Sequence, residues 1–189
     1  MENELAHRKS VSKITLFVVA ALTASPWTQA ESAQGYVLAA YSEAAGGQQL
    51  LSGQYSAALV SIRSGKGGTA GTDAVRNTNA CVAFAMMRKL TAARTACDAA
   101  VVAATADRSH AKGVVSRSRS QEDSAVAIAY SNRAIVHSLL KEAVGFTEDL
   151  AEANSLAPQS DFVVRNIAAF KQVPAGSTQL AITAQRMED

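Results

Sequence analysis

Two cysteines, three histidines and one short glycine–lysine run are the residues of this chain that could carry chemistry. Cys81 and Cys97 stand sixteen residues apart in the alanine-rich stretch "NACVAFAMMRKLTAARTACDAAV". Neither has a histidine or a CxxC partner nearby, so a structural zinc site is not available to them. They are left as a disulfide or as two buried thiols acting as small hydrophobes. His7 falls in an N-terminal leader, His110 in a charged stretch, and His137 on a core-facing helical register where a packed side chain is expected. "GKGG" (Gly65–Gly68) lacks the preceding strand and the Gly-Lys-Ser/Thr ending of a phosphate loop, and reads as a linker. Glu148, Asp149 and Glu152 lie on one helical segment and read as a solvated face. No GxSxG or HExxH occurs. The expectation is a chain that is not an enzyme and uses no cofactor and no metal.

The elements that position these residues follow from composition. The 189 residues allow one domain with a tail. The chain is 48% hydrophobic but only 5% aromatic, and alanine dominates, which suits closely approaching helices better than a sheet. A net charge of +2 argues against nucleic acid as a partner. Arg8, Lys9 and Lys13 followed by "ITLFVVAALTA" and "TQA" have the order of a secretory signal peptide cleaved after Ala30. That run of eleven residues is too short for a membrane span, which needs about 20, so no stable membrane anchor is expected after cleavage; an uncleaved anchor is the alternative. The mature chain is expected to be periplasmic or secreted.

Three segments repeat one pattern: Ala44–Gly65, Asn79–Ala100 and Asn132–Ala153. Small residues Gly46, Cys81 and Ala134 share one register, with Ala58, Ala93 and Phe146 twelve positions later and Ile62, Cys97 and Leu150 sixteen positions later. The period is 35 residues between the first two and 53 between the second two, so roughly nineteen residues are inserted. Apolar residues recur at three- and four-residue spacing in "VAFAMMRKL" and "AIAYSNRAIVHSLL", as in packed helices. Gly53 suits a helix-to-helix turn, Thr72 or Asp73 can cap the helix that follows the linker, and Ser160 can cap a last helix, Asp161–Phe170.

This pattern resembles the tetratricopeptide repeat, a pair of antiparallel helices of about 34 residues. The resemblance implies an all-α fold: a short right-handed solenoid of helical hairpins with about three units, at about 38–65, 73–105 and 122–157. A capping helix at 160–171, an inserted loop at 105–123 and a flexible tail at 173–189 complete the expected 31–172 domain and its ends. The basic residues Arg108, His110, Lys112, Arg117 and Arg119 fall in or beside that loop. Phe146 departs from the small residue expected at its register and should widen the third hairpin.

The family's concave groove is lined by the first helix of each unit. That register gives Glu43, Gly47 and Leu50, then Thr78, Val82, Ala85 and Met86, then Ser131, Ile135, Ser138 and Leu139, with packing of these residues against neighbouring helices as the equal alternative. The resemblance implies a non-enzymatic adaptor for a protein or peptide partner; the alternatives are a structural component of an envelope complex and, after it, a helical enzyme subunit. Asn79 and Asn132, two residues before the small position, are expected to bond between helices. Across an antiparallel hairpin turning near Lys89–Thr91, Cys81 faces Cys97, so a disulfide is expected there, with two reduced thiols as the alternative.

Overall fold

The computed structural model describes residues 35–65, 71–110, 119–172 and 180–185. The expected leader lies outside these residues, and Glu31–Asp189 form one compact unit. The element order is β1 (Tyr36–Tyr41), α1 (Gly47–Leu51), α2 (Tyr55–Ser64), α3 (Asp73–Met86), α4 (Leu90–His110), α5 (Arg119–Leu140), α6 (Ala143–Leu156), α7 (Asp161–Gln172) and β2 (Leu180–Gln185). The described residues are mostly helical, as composition predicts. Small side chains let α3 pack closely on α4 and α5 on α6, and α4 joins the two pairs.

The repeat register reappears in the corners between helices. Gly53, Arg88 and Lys141 occupy the same register, and all three adopt positive φ, at 74°, 58° and 63°. At each corner the next amide reaches back five residues: Gln54 to the Gln49 carbonyl, Lys89 to Phe84 and Glu142 to His137. That is the hydrogen-bonding pattern of a helix end closed by a left-handed residue. Glycine serves at Gly53; at Arg88 and Lys141 the chain tolerates a side chain in a conformation that ordinarily favours glycine.

Two boundaries differ from expectation. The stretch expected as a loop, Thr105–Asp123, is helical at both ends, because α4 continues to His110 and α5 begins at Arg119. Ala100, Val101 and Ala104 of α4 pack against Val126 and Ala129 of α5, and the pairing of Arg108 with Asp123 at 2.7 Å ties the extensions together. Lys112 and Arg117 lie outside the described residues. The first unit, in turn, has only a five-residue opening helix, α1. Gly46 takes φ 80°, and a Cβ on Gly47 would collide with the carbonyl oxygens of Tyr41 and Ser42, so the chain breaks sharply ahead of α1.

A two-stranded parallel sheet completes the fold, with Tyr36 opposite Leu180 and Tyr41 opposite Gln185. β2 lies in the tail that the sequence suggests is loose. Leu180 and Ile182 pack against the central core, a contact made by residues far apart in sequence and therefore invisible to local patterning. β1 is buried along its whole length, at 0–6% exposure. Its side chains alternate as a strand requires. Tyr36, Leu38 and Ala40 join Val82 and Ile135 in one cluster, while Ala39 and Tyr41 join Val75, Ile128, Phe162 and Val163 in another.

Candidate functional site

A strand buried among helices needs partners for its main-chain polar groups on both edges. One edge of β1 meets β2. The other is served by three asparagines, one from each of three helices. Asn166 of α7 accepts from the Val37 amide at 2.7 Å and donates to its carbonyl at 2.9 Å. Asn132 of α5 does the same for Ala39, at 2.8 Å in both directions. Asn79 of α3 does so for Tyr41, at 2.9 and 3.0 Å, and reaches the Ala45 carbonyl at 3.3 Å. Alternate residues of a strand lie about 6.7 Å apart and face the same way, so one asparagine per helix meets every second residue. A carboxamide carries a donor and an acceptor side by side, which complements the N–H and C=O that one strand residue presents along the same edge.

These contacts correct the expectation that Asn79 and Asn132 bond between helices. They hold a strand that no local pattern announced. Asn166 is a third member of the set, missed by the sequence reading although it lies 34 residues after Asn132, one repeat period away.

The residues expected to line a groove are where β1 sits. Thr78, Val82, Ser131 and Ile135 are buried beneath the strand layer, with Val82 and Ile135 at 0% exposure; Ala85 and Leu50 are buried too. Met86, Ser138 and Leu139 are half-buried, Gly47 is buried at the start of α1, and Glu43 is exposed. Ser131 has a definite task, since its hydroxyl accepts from Asn166 at 2.9 Å and fixes the amide that grips Val37. Thr78 bonds within its own helix, to the Ala74 carbonyl at 2.8 Å. Beyond the Tyr41 end of the strand a cavity of about 780 Å3 opens between the end of α4 and the start of α5, with Glu43, Asp107, Glu122 and Asp123 among its lining residues.

Cys81 and Cys97 are joined as a disulfide, with their Cα atoms 4.9 Å apart, inside the α3–α4 hairpin. The same register elsewhere holds apolar packing. Gly46 stands against Ala58 and Ile62, and Ala134, Phe146 and Leu150 are all buried. Phe146 fills space outside its hairpin, its ring 5.7 Å from Tyr36 and 4.8 Å from Phe170. The close approach of α5 and α6 falls one residue earlier, where a Cβ on Gly145 would lie 2.9 Å from the His137 ring.

His137 is packed, as expected, but it also belongs to an ion network. Its Nδ1 lies 2.6 Å from Glu142, and its Nε2 lies 3.5 Å from Asp149. Asp149 is not the solvated acid the sequence suggests. It is 5% exposed and takes a two-pronged bond from Arg133, Nε and Nη2 each at 2.8 Å. Arg133 also reaches Asp98 on α4 at 3.2 Å. The Asp149 hydrogen bond holds the guanidinium even more firmly charged than usual, against the opposing pull of burial. Glu148 and Glu152 are exposed.

Two expected results arise here. Gly145→Ala gains helix propensity but drives a methyl into a ring held by Glu142 and Asp149, so a net loss of about 1 kcal/mol is expected. Chemical denaturation measures the loss, and the His137 ring resonances should shift with it; an unchanged midpoint would show that the ring gives way freely. The second concerns pH. The hydrogen bond from His137, helped by Arg94, holds the Glu142 carboxyl below its ordinary value of 4.5. A depressed folded-state pKa contributes stability that is present above the unfolded value and is lost as pH falls through the folded one. Stability should therefore decline below about pH 4.5, and Glu142→Gln should flatten that part of the profile. Parallel profiles for the two chains would remove Glu142 from the account.

Strand, ladder and helices together define a mostly helical protein whose inner helix faces hold an extended segment by its main chain. Compared with protein families, curated sequences and solved structures, the chain matches none. Among the described residues, no helix is long and apolar enough to cross a membrane, and no three acidic, histidine or cysteine side chains gather as a metal site would need.

Proposed function

We propose that this chain is an exported tetratricopeptide-like protein, periplasmic or secreted, that works without catalysis, by binding another protein or peptide. The repeated corners at Gly53, Arg88 and Lys141 support the repeat reading, and a disulfide is the kind of bond that persists in an oxidising compartment. The observation that carries the binding function is the asparagine ladder. It holds an extended segment through six main-chain hydrogen bonds, while the side chains of that segment pack into two apolar clusters. The burial of Val82 and Ile135 beneath β1 favours the second reading, a rigid assembly component whose groove is permanently filled.

Reciprocal capture from envelope extracts, using the intact chain and then its recovered partner as bait, tests the adaptor function. One partner recovered in both directions is expected. Recovery of none, with an envelope complex that fails to assemble when the chain is removed, would establish the assembly role instead.

A further inference from the structure

The two strands are held very differently. β1 is buried at 0–6% and is clamped by α3, α5 and α7 through the three asparagines. No residue of β2 is fully buried. Its ties are the ladder to β1, the seating of Leu180 and Ile182 on the core, and a 3.2 Å bond from the Ser42 hydroxyl to the Gln185 carbonyl. Parallel pairing is weaker per residue than antiparallel, and a two-stranded sheet is marginal by itself. β1 therefore stays in place without β2, whereas β2 depends on β1. The main-chain alternation fixes which groups a departing β2 would expose. Val37, Ala39 and Tyr41 face the asparagines, so Leu38 and Ala40 face β2, as does Ser42, whose amide donates to the Gln185 carbonyl at 3.1 Å.

We propose that β1 is a fixed template and β2 an exchangeable strand, so that the Leu38–Ser42 edge accepts an extended peptide from a partner protein. The resident strand defines that partner's chemistry. "LAITAQ" is uncharged, runs parallel to β1, and places aliphatic side chains two residues apart on the core. The incoming segment adds to the sheet edge through its main chain, and the pockets of Leu180 and Ile182 select the register. This rests on the protein-binding reading above and moves the binding surface from the filled groove to the outer edge of its filling.

Amide hydrogen exchange of the intact chain, resolved by residue, tests it without any substitution. Ala40 and Ser42 should exchange at least about 100-fold faster than their neighbours Ala39 and Tyr41, because their partner strand opens while the asparagines stay closed. A fluorescent peptide of residues 178–185, "TQLAITAQ", should bind saturably, and Ile182→Asp in the protein should tighten that binding about tenfold by weakening the resident competitor. A peptide with Leu and Ile each moved by one position should not bind. Equal exchange of the two amide sets overturns the proposal even if Ile182→Asp fails to fold, as does the absence of peptide uptake by the intact chain. A concentration-dependent dimer that takes up no peptide overturns it in favour of strand exchange between copies. Peptide uptake without any envelope partner would keep the template and remove the adaptor function; a partner captured by a chain whose β2 never opens would do the reverse.

Discussion

Asn132→Ala is expected to cost about 4 kcal/mol of folding stability, because it strips the partners from both the amide and the carbonyl of one buried residue of β1, Ala39. The amide and carbonyl of Ala39 lie where no water reaches, at 0% exposure, and each orphaned group costs about 1–3 kcal/mol. Against a total stability of about 5–15 kcal/mol, that loss separates a folded domain from a marginal one. Urea unfolding measures it directly. A loss below about 1 kcal/mol would mean that the amide contributes no more than an ordinary surface bond.

Asn132→Asp sharpens the test. An ionised carboxylate still accepts from the Ala39 amide but faces the Ala39 carbonyl with no proton to offer. Burial raises the pKa of such a group, and the protonated acid restores both bonds. Its contribution is thus fully present below the unfolded value near pH 3.9 and is lost as pH rises through the raised folded value. The variant should be less unstable in acid than at neutral pH, a trend Asn132→Ala cannot show.

The second large effect belongs to the disulfide. Replacing Cys81 and Cys97 together by alanine, or reducing the bond in the native chain, is expected to cost about 3 kcal/mol, the loop-closure value for a bridge of this span. Unfolding curves with and without reductant measure it, and an unchanged midpoint would remove the bond from the stability account. The consequence should reach the strand. Asn79 lies two residues before Cys81 on α3, so a loosened α3–α4 hairpin should let the Tyr41 amide exchange faster than that of Ala39.

The helices were legible because their information is local. Alanine content, apolar spacing and the recurrence of Gly46, Cys81 and Ala134 suffice to place the hairpins, and the facing of Cys81 and Cys97 follows from the turn between them. The strand was not legible, for a physical reason. "YVLAAY" is a short uniform apolar run that suits a buried strand or a buried helix equally well. What selects the strand is a set of partners 38, 93 and 129 residues away. Asn166 could have been found by its 34-residue spacing from Asn132, had an asparagine been read as a peptide-gripping group rather than a helix-to-helix bond.

By itself, then, the sequence determined the helical class and the facing of the two cysteines across their hairpin, both of which rest on neighbours within about one hairpin. Only the tertiary structure decided what fills the inner face. A strand contains none of its own hydrogen bonds, so its existence waits on whichever distant groups arrive to satisfy its edges. Here those groups are three asparagines on one edge and β2 on the other.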